Sequence, residues 1–280
     1  MKRWTFFTAA LLAAATLVGC ATLDERQRAW IFQPSDRSWG ASAESARDMQ
    51  AVWIEFGSRV TGEPARLHGL WLPADRHPAS APVLLYLHGA RWNVEGSAPR
   101  IRRMQELGFS VLAIDYRGFG KSTPGLPSED MAYEDAHAAW EWLAAKYPGR
   151  PRFIFGHSLG GAIAIDLASK VDDEQGTIVE GTFTSIADVA GTMKWGWLPI
   201  APLITQRFES VRKVSRINSP LLVVHGSDDS LIASDLGRRL YEAATGRKKF
   251  VLVEGGSHFS TNAVGQGLYR EALREMFSLR

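Results

Sequence analysis

The chain has 280 residues, of which 45% are hydrophobic and 22% charged, a composition typical of a folded globular protein and not of a disordered or collagen-like one. Its formal net charge is +2, and the first three residues already hold two cations, Lys2 and Arg3. The rest of the chain is therefore neutral overall, so its charge does not favour nucleic acid or an anionic surface as a partner.

The first twenty residues have a basic start, an apolar middle and a cysteine at the end. Lys2 and Arg3 precede an apolar stretch, residues 4–18, which is shorter than the roughly 20 residues of a membrane-spanning helix. Leu17-Val18-Gly19-Cys20 then resembles a bacterial lipobox, with Cys20 the only cysteine of the chain. We therefore predict a lipoprotein signal peptide over residues 1–19 and lipidation at Cys20. An ordinary signal peptide with an incidental cysteine is the alternative.

The resemblance to bacterial lipoproteins implies a location. Several acyl chains on Cys20 would hold the protein stably on a membrane, where a single chain is marginal. Ala21 follows the cysteine, in place of the aspartate that marks retention at the inner membrane. The resemblance thus implies an exported protein that is lipid-anchored in the bacterial cell envelope, at the outer membrane and facing the periplasm. Residues 20–50 are polar and mixed, and they predict a tether with a short helix.

Beyond residue 50, strand and helix patterns alternate, which predicts a single α/β domain over residues 51–280. Residues 82–87 form a continuous apolar run, as expected for a strand buried on both faces. Strands separated by helices indicate a mostly parallel sheet of about eight strands with helices on both faces. The predicted strands are 51–60, 65–72, 82–87, 109–114, 152–155, 177–179, 221–224 and 250–253, and the predicted helices are 100–107, 129–147, 159–169, 234–244 and 262–277.

One connection is too long for an ordinary loop. Residues 186–214 contain Trp195, Trp197, Pro199 and Pro202 between two predicted strands. Loops beyond about 15 residues are uncommon unless they are functional. We predict a short lid over the sheet here, and a longer helical crossover with core tryptophans is the alternative.

Gly156-His157-Ser158-Leu159-Gly160 has the G-x-S-x-G pattern of a nucleophilic serine. Such a serine needs a sharp turn between a strand and a helix, and flanking glycines avoid clashes between the two. An apolar strand precedes Ser158 and a helical pattern of small residues follows it. We therefore predict Ser158 as a nucleophile.

A serine hydroxyl needs a general base, and the base needs an acid that orients it. Of the seven histidines, only His225 and His258 follow Ser158. His258 lies in a glycine-containing loop after the last predicted strand, so it is the predicted base, while His225 is expected to brace a loop. The acid should lie just past the preceding strand, where Asp228 and Asp229 are adjacent; the His-Gly-x-x-Asp pattern selects Asp229.

An oxyanion hole needs two backbone N–H groups directed at the developing charge. Leu159, directly after the nucleophile, is the first predicted donor. Ala90, in the loop that follows the strand ending at Leu87, is the second, with Arg91 as the alternative. His88, in the same loop, is expected to brace it.

Together these motifs resemble the α/β-hydrolase superfamily over residues 50–280. Asp115-Tyr116-Arg117-Gly118-Phe119-Gly120-Lys121-Ser122 looks like the loop after the fourth strand in that family. Residues 180–186, Glu180-Gly181-Thr182-Phe183-Thr184-Ser185-Ile186, also resemble the branch of alpha/beta-hydrolase domain-containing protein 13 and serine aminopeptidase-like proteins. The resemblance implies the α/β-hydrolase fold and a triad of Ser158, Asp229 and His258. The chain departs from that branch at Ala90-Arg91-Trp92, where the branch usually has asparagine after His-Gly.

The predicted activity is hydrolysis of ester-like acyl bonds through an acyl-enzyme, without a metal or organic cofactor, on a small acyl-ester or lipid-like substrate. One alternative is an aminopeptidase-like peptidase, which needs an acidic side chain for the substrate's free amine; Glu209 and Asp188 in the lid are candidates. Another alternative is a lipid-anchored binding protein without catalysis, because a fold alone does not establish activity. The sequence does not indicate an oligomeric state.

Overall fold

The computed structural model describes residues 19, 21–34, 44–193 and 196–279. Its centre is a sheet of eight strands in the order β1-β2-β4-β3-β5-β6-β7-β8. The pairs β1–β2 and β2–β4 are antiparallel, and every other pair is parallel. The strands are β1 Gln50–Gly57, β2 Pro64–Leu72, β3 Val83–Leu87, β4 Ser110–Ile114, β5 Arg152–His157, β6 Gly176–Glu180, β7 Leu221–Gly226 and β8 Lys248–Val253. The predicted mostly parallel sheet of about eight strands is confirmed.

Helices cover both faces of this sheet. They include α1 over residues 21–32, α2 Ala98–Glu106, α3 Glu129–Lys146, α4 Leu159–Ala168, α5 Ile186–Gly191, α6 Ser234–Ala243, α7 Thr261–Val264 and α8 Gln266–Phe277, and residues 44–46 form a further helical turn. Helices α3, α4 and α6 pack on one face and α2 and α8 on the other. The sequence of β3 is apolar throughout because both faces of the strand are buried: Leu85 contributes to the core on the first face and Leu84 to the core on the second.

Residues 21–34 are packed against the domain, although the sequence predicted a tether over 20–50. Phe32 at the end of α1 is fully buried and lies edge-on to Phe119 and Phe208, at ring-centroid distances of 6.4 and 5.8 Å. Gln27 on the same helix donates a 2.7 Å hydrogen bond to the carbonyl oxygen of Leu203. The described part of this stretch is thus built into the fold, since an aromatic side chain in the core fixes it.

The described residues of the segment 186–214 form short helices and turns, not one long crossover helix. They include α5 and single 3₁₀ turns at Ala201–Leu203 and Ser210–Arg212, and a further 3₁₀ turn, Val214–Arg216, begins at the last residue of the segment. Trp197 is 74% exposed, so this tryptophan is not part of the core as the crossover alternative required. Trp195 lies outside the described residues.

The predicted signal peptide and Cys20 lie outside the described residues, apart from Gly19. Within the part of the chain that the structure describes, no helix combines the length and the apolar character that crossing a bilayer requires.

Candidate active site

Ser158 stands on a sharp turn between β5 and α4. Its φ of 55° is positive, which costs a non-glycine residue about 1–3 kcal/mol and is typical of functional sites. A Cβ atom on Gly156 would lie 2.2 Å from the carbonyl oxygen of Gly160, and one on Gly160 would lie 2.1 Å from that of Leu87. Both positions therefore have to be glycine, which explains the G-x-S-x-G pattern sterically.

Three predicted residues meet at the carboxyl edge of the sheet. Ser158 follows β5, Asp229 follows β7 and His258 follows β8, and the carboxyl ends of parallel strands lie at one edge. His258 Nε2 lies 3.0 Å from Ser158 Oγ, and His258 Nδ1 lies 2.8 Å from Asp229 Oδ2. Since the ionised carboxylate can only accept, Nδ1 carries the proton and Nε2 is free to accept from the serine hydroxyl.

The surroundings of Asp229 keep it ionised and fixed. Its Oδ1 accepts hydrogen bonds from the backbone N–H groups of Leu231 and Ile232, at 3.0 and 2.8 Å. Burial raises the pKa of the Asp229 carboxyl, but hydrogen bonds from His225 and His258 outweigh this effect and hold the pKa well below its usual range.

The two adjacent aspartates of this loop differ in their surroundings. The side chain of Asp228 is exposed and accepts a 2.8 Å hydrogen bond from Ser227 Oγ, whereas the side chain of Asp229 is 1% exposed and faces His258. The structure thus places the predicted one of the two next to the histidine.

Two buried side chains, which the sequence did not predict as site residues, hold the backbone of the His258 loop. His157 Nε2 donates a 3.0 Å hydrogen bond to the carbonyl oxygen of His258, and Arg100 Nη2 donates one of 3.2 Å to that of Phe259. Burial lowers the pKa of His157 well below its usual value, so its ring is a neutral donor. The one sequence feature that could have indicated this support is the position of His157 inside the serine motif.

Glu180, at the end of β6, connects this support to the serine. Its carboxylate is fully buried, accepts a 3.0 Å hydrogen bond from Arg100 Nε and also accepts from the hydroxyl of Tyr269. Its backbone carbonyl accepts a 2.9 Å hydrogen bond from the N–H of Ser158. One residue thus links the turn of the nucleophile to the arginine that holds the histidine loop.

The loop after β3 passes directly against the nucleophile. A Cβ atom on Gly89 would lie 3.1 Å from Ser158 Cβ. Leu159 is the first residue of α4, so its N–H has no acceptor within the helix. The N–H of Arg91 donates to the carbonyl oxygen of Phe32 at 2.8 Å and is therefore occupied. This geometry favours Ala90 over Arg91 as the second oxyanion donor.

His88 braces the same loop. Burial lowers the pKa of His88, and its neutral ring donates from Nδ1 to the carbonyl oxygen of Gly89 at 2.6 Å. The ring also packs on Tyr116 and Phe119 with centroid distances of 4.6 and 5.0 Å. The loop that begins at Asp115 contributes further, because this carboxylate accepts a 2.6 Å hydrogen bond from the N–H of Val94.

A cavity of about 230 Å³ opens onto Ser158. Ile186, Val189 and Met193 of the lid segment and Trp30 of α1 form parts of its wall. Asp188 and Glu209, the acidic lid residues, are not among the described residues that line it; Asp188 instead accepts hydrogen bonds from Thr184 and Ser185. Across the described ranges no group of three or more His, Cys, Asp or Glu side chains is arranged to hold a metal ion.

The chain is similar in sequence to known proteins. Residues 78–210 match the family model described as serine aminopeptidase, S33. An uncharacterized protein of Mycobacterium tuberculosis is 32% identical over 99% of this chain and 97% of its own length. The lysophosphatidylserine lipase ABHD12 of Danio rerio is 32% identical over 64% of this chain and 54% of its own length, so the match spans about half of that relative.

A solved structure agrees in fold. The esterase Pf2001 of Pyrococcus furiosus superimposes with a TM-score of 0.67 at 20% identity, over 88% of this chain and 97% of its own. At this identity the likeness shows the fold alone, whereas the family match and the Mycobacterium relative extend to the sequence. The chain therefore belongs to the α/β-hydrolase superfamily, and its residues 78–210 are similar to the family that the serine aminopeptidase S33 model describes.

Proposed function

We propose that this protein is a serine esterase that cleaves acyl esters through a covalent acyl-enzyme, with Ser158, His258 and Asp229 as its catalytic triad. The observation that carries the proposal is the continuous chain of hydrogen bonds from Ser158 Oγ through the His258 ring to Asp229 Oδ2. Because the serine sits on a strained turn at the pocket, its oxygen is presented to a substrate and not to the core.

In the proposed mechanism, Ser158 Oγ attacks the ester carbonyl while His258 Nε2 takes its proton. Asp229 stays ionised and stabilises the imidazolium that forms. The N–H groups of Leu159 and Ala90 donate to the oxyanion of the tetrahedral intermediate, which collapses when His258 returns the proton to the leaving alcohol. Water, deprotonated by the same histidine, then attacks the acyl-enzyme and releases the acid and free Ser158.

The chemistry of the pocket wall supports an ester with an apolar acyl chain. Phe183, Ile186, Val189 and Leu231 line the cavity beside the nucleophile, and such a wall suits hydrocarbon. The names of the relatives agree, since one is a lysophosphatidylserine lipase and a neighbour in fold is an esterase. A small acyl ester or a lipid-like monoacyl ester is the substrate class that we propose.

The charge of the pocket argues against aminopeptidase action. Such an enzyme needs a carboxylate near the scissile bond to hold the free amine of its substrate. Among the described residues that line the cavity there is no Asp or Glu, and Glu209 of the lid segment pairs with Arg212 at 3.1 Å. Turnover of aminoacyl-naphthylamides above that of esters would reverse this preference.

We also propose that the protein is lipid-anchored through Cys20 in the bacterial cell envelope. Lipidation at Cys20 would place the acyl anchor directly before α1, whose Trp30 lines the cavity. A lipid-anchored esterase in the cell envelope would then meet substrates at a membrane. Metabolic labelling with an alkyne fatty acid, compared between the wild type and Cys20→Ser, tests the anchor independently of activity.

Labelling with a fluorophosphonate probe is the direct test of the proposed function. We expect the wild type to be labelled and Ser158→Ala to remain unlabelled. In a second assay, we expect the wild type to hydrolyse p-nitrophenyl esters from a series of graded acyl length. A folded wild type that neither reacts with the probe nor cleaves any ester of the series would support the alternative of a binding protein on a hydrolase scaffold.

A further inference from the structure

The cavity beside Ser158 carries a positive charge that is not neutralised within the described chain. Two arginines, Arg91 and Arg100, line it. Arg100 is paired with the buried carboxylate of Glu180 at 3.0 Å. Arg91 has no carboxylate within ion-pair distance among the described residues, and its side chain is exposed. Since burial keeps the rings of His88 and His157 neutral, Arg91 is the charged side chain of the described cavity wall that no carboxylate pairs with.

The backbone at Arg91 is held in an unusual conformation. Arg91 and Trp92 have consecutive positive φ angles of 71° and 57°, although neither is glycine. Such residues persist only where surrounding contacts stabilise them, and they cluster at ligand-binding sites. Here the contacts come from the end of α1: the N–H of Arg91 donates to the carbonyl oxygen of Phe32 at 2.8 Å, and Pro34 pairs with Trp92 as an isolated β-bridge.

The side chain of Arg91 is also oriented. Its Nε donates a 3.1 Å hydrogen bond to Gln33 Oε1, directly after α1. A guanidinium held through Nε still presents its two Nη groups, which match the paired oxygens of a phosphate or a carboxylate. Because Arg91 directly follows Ala90, the proposed oxyanion donor, an anion bound there lies close to the reacting carbonyl.

We propose that Arg91 is a specificity-determining residue that binds a phosphate or carboxylate group in the alcohol portion of the substrate. The inference rests on the proposed esterase function and extends it from acyl esters in general to anionic acyl esters. The apolar wall around Phe183 and Val189 takes the acyl chain, and Arg91 takes the charged group on the other side of the ester bond. Gln33 is a positioning residue that acts through Arg91.

The test compares three monoacyl substrates with the same acyl chain, each below its critical micelle concentration: a 1-acylglycerol, a 1-acylglycerol phosphate and a 3-acylglycerate. For the wild type we expect kcat/KM on the two anionic esters to exceed that on the neutral ester at least about tenfold, with an advantage that shrinks as salt rises. Preference for the phosphate ester over the carboxylate ester, or the reverse, identifies which anion the site takes.

Arg91→Gln should lower the ratio of anionic to neutral turnover roughly 10- to 100-fold, the range of a charge-assisted hydrogen bond. Arg91→Lys, which keeps the charge without the paired donors, should lie between. Gln33→Leu should raise KM for the anionic esters and leave their kcat. The matched control is Arg212→Gln, because Arg212 is 74% exposed, pairs with Glu209 and lies outside the cavity wall. Its kcat/KM should equal that of the wild type on all three substrates.

A wild type that cleaves the neutral ester as well as the anionic ones, at low salt, overturns this inference and leaves the esterase proposal intact. The inference is also overturned if Arg91→Lys and Gln33→Leu each lower kcat/KM by the same factor on all three esters. Arg91 would then act only by keeping its loop in shape. A wild type that cleaves none of the esters and is not labelled by a fluorophosphonate instead overturns the proposed function itself.

Discussion

His225 Nε2 lies 3.3 Å from Asp229 Oδ2, the same carboxylate oxygen that accepts the 2.8 Å hydrogen bond from His258 Nδ1. His225 is fully buried at the end of β7, and its Nε2 also donates to the carbonyl oxygen of Ile232 at 2.9 Å. A second histidine thus contacts the carboxylate of the proposed catalytic acid, where the sequence predicted only a loop brace.

Removing this donor should weaken catalysis through Asp229. For His225→Leu we expect kcat to fall roughly 10- to 100-fold, the value of a hydrogen bond to a charged group, with KM changed little. Because His225 helps to keep the pKa of Asp229 low, the free energy of unfolding should fall less steeply below about pH 4 in the variant than in the wild type. His225→Gln, whose amide can donate, should recover part of the rate. A loss of stability with an unchanged kcat would mean that His225 only supports the fold.

Replacing the nucleophile should separate activity from stability. We expect Ser158→Ala to lower kcat on p-nitrophenyl acetate by a factor on the order of 10⁶. The positive φ of 55° strains alanine as well as serine, but not glycine. Ser158→Gly should therefore be inactive and yet have a higher Tm than Ser158→Ala. Wild-type turnover by either variant would remove Ser158 from the mechanism.

On acidification, the activity should respond to the His258 imidazole before the stability responds to the Asp229 carboxyl. We expect kcat/KM to fall on acidification, because His258 must be neutral to accept a proton from Ser158. Asp229 stays ionised while this happens, since its pKa is held well below its usual range. Its contribution to the free energy of unfolding is present above about pH 4 and is lost as the pH falls towards its folded pKa. A flat activity profile down to pH 5 would contradict the assignment of His258.

The close approach at Gly160 should not tolerate a methyl group. In Gly160→Ala the new Cβ would lie 2.1 Å from the carbonyl oxygen of Leu87 and 2.5 Å from that of His88, so the backbone on one side must move. We expect a destabilisation of about 1–3 kcal/mol by chemical denaturation and a clear loss of kcat. Gly267→Ala on α8 is the control, since nothing lies within 4 Å of its new Cβ. It should stabilise the helix by up to about 1 kcal/mol.

Phe32 should contribute to stability although it lies only twelve residues past the predicted lipidation site at Cys20. Phe32→Ala removes a fully buried aromatic ring from its contacts with Phe119 and Phe208, and we expect a cost of about 3–5 kcal/mol in the free energy of unfolding. Trp30→Ala, where the ring is 58% exposed, should cost much less. Equal effects of the two substitutions would show that α1 does not pack on the domain as described.

Local patterns in the sequence were enough to predict the fold, and they named Ser158, Asp229 and His258, which the structure brings together. The run Pro82–Leu87 predicted a strand because both faces of β3 are buried, and the glycines around Ser158 predicted a sharp turn because side chains there would collide. The order of Ser158, Asp229 and His258 predicted a triad because strand ends of a parallel sheet share one edge. Each of these inferences depends on stereochemistry within a few residues or on a rule of topology.

What only the tertiary structure decided are contacts between segments far apart in the chain. The hydrogen bond from the Arg91 N–H to the Phe32 carbonyl occupies one of the two candidate oxyanion donors and favours Ala90 as the other. Trp30, in the predicted tether, lines the pocket. The pair of Arg100 and Glu180, 80 positions apart, set the support beneath the His258 loop. A single sequence leaves such partners open because periodicity indicates which face of an element is buried, and packing alone determines what that face meets.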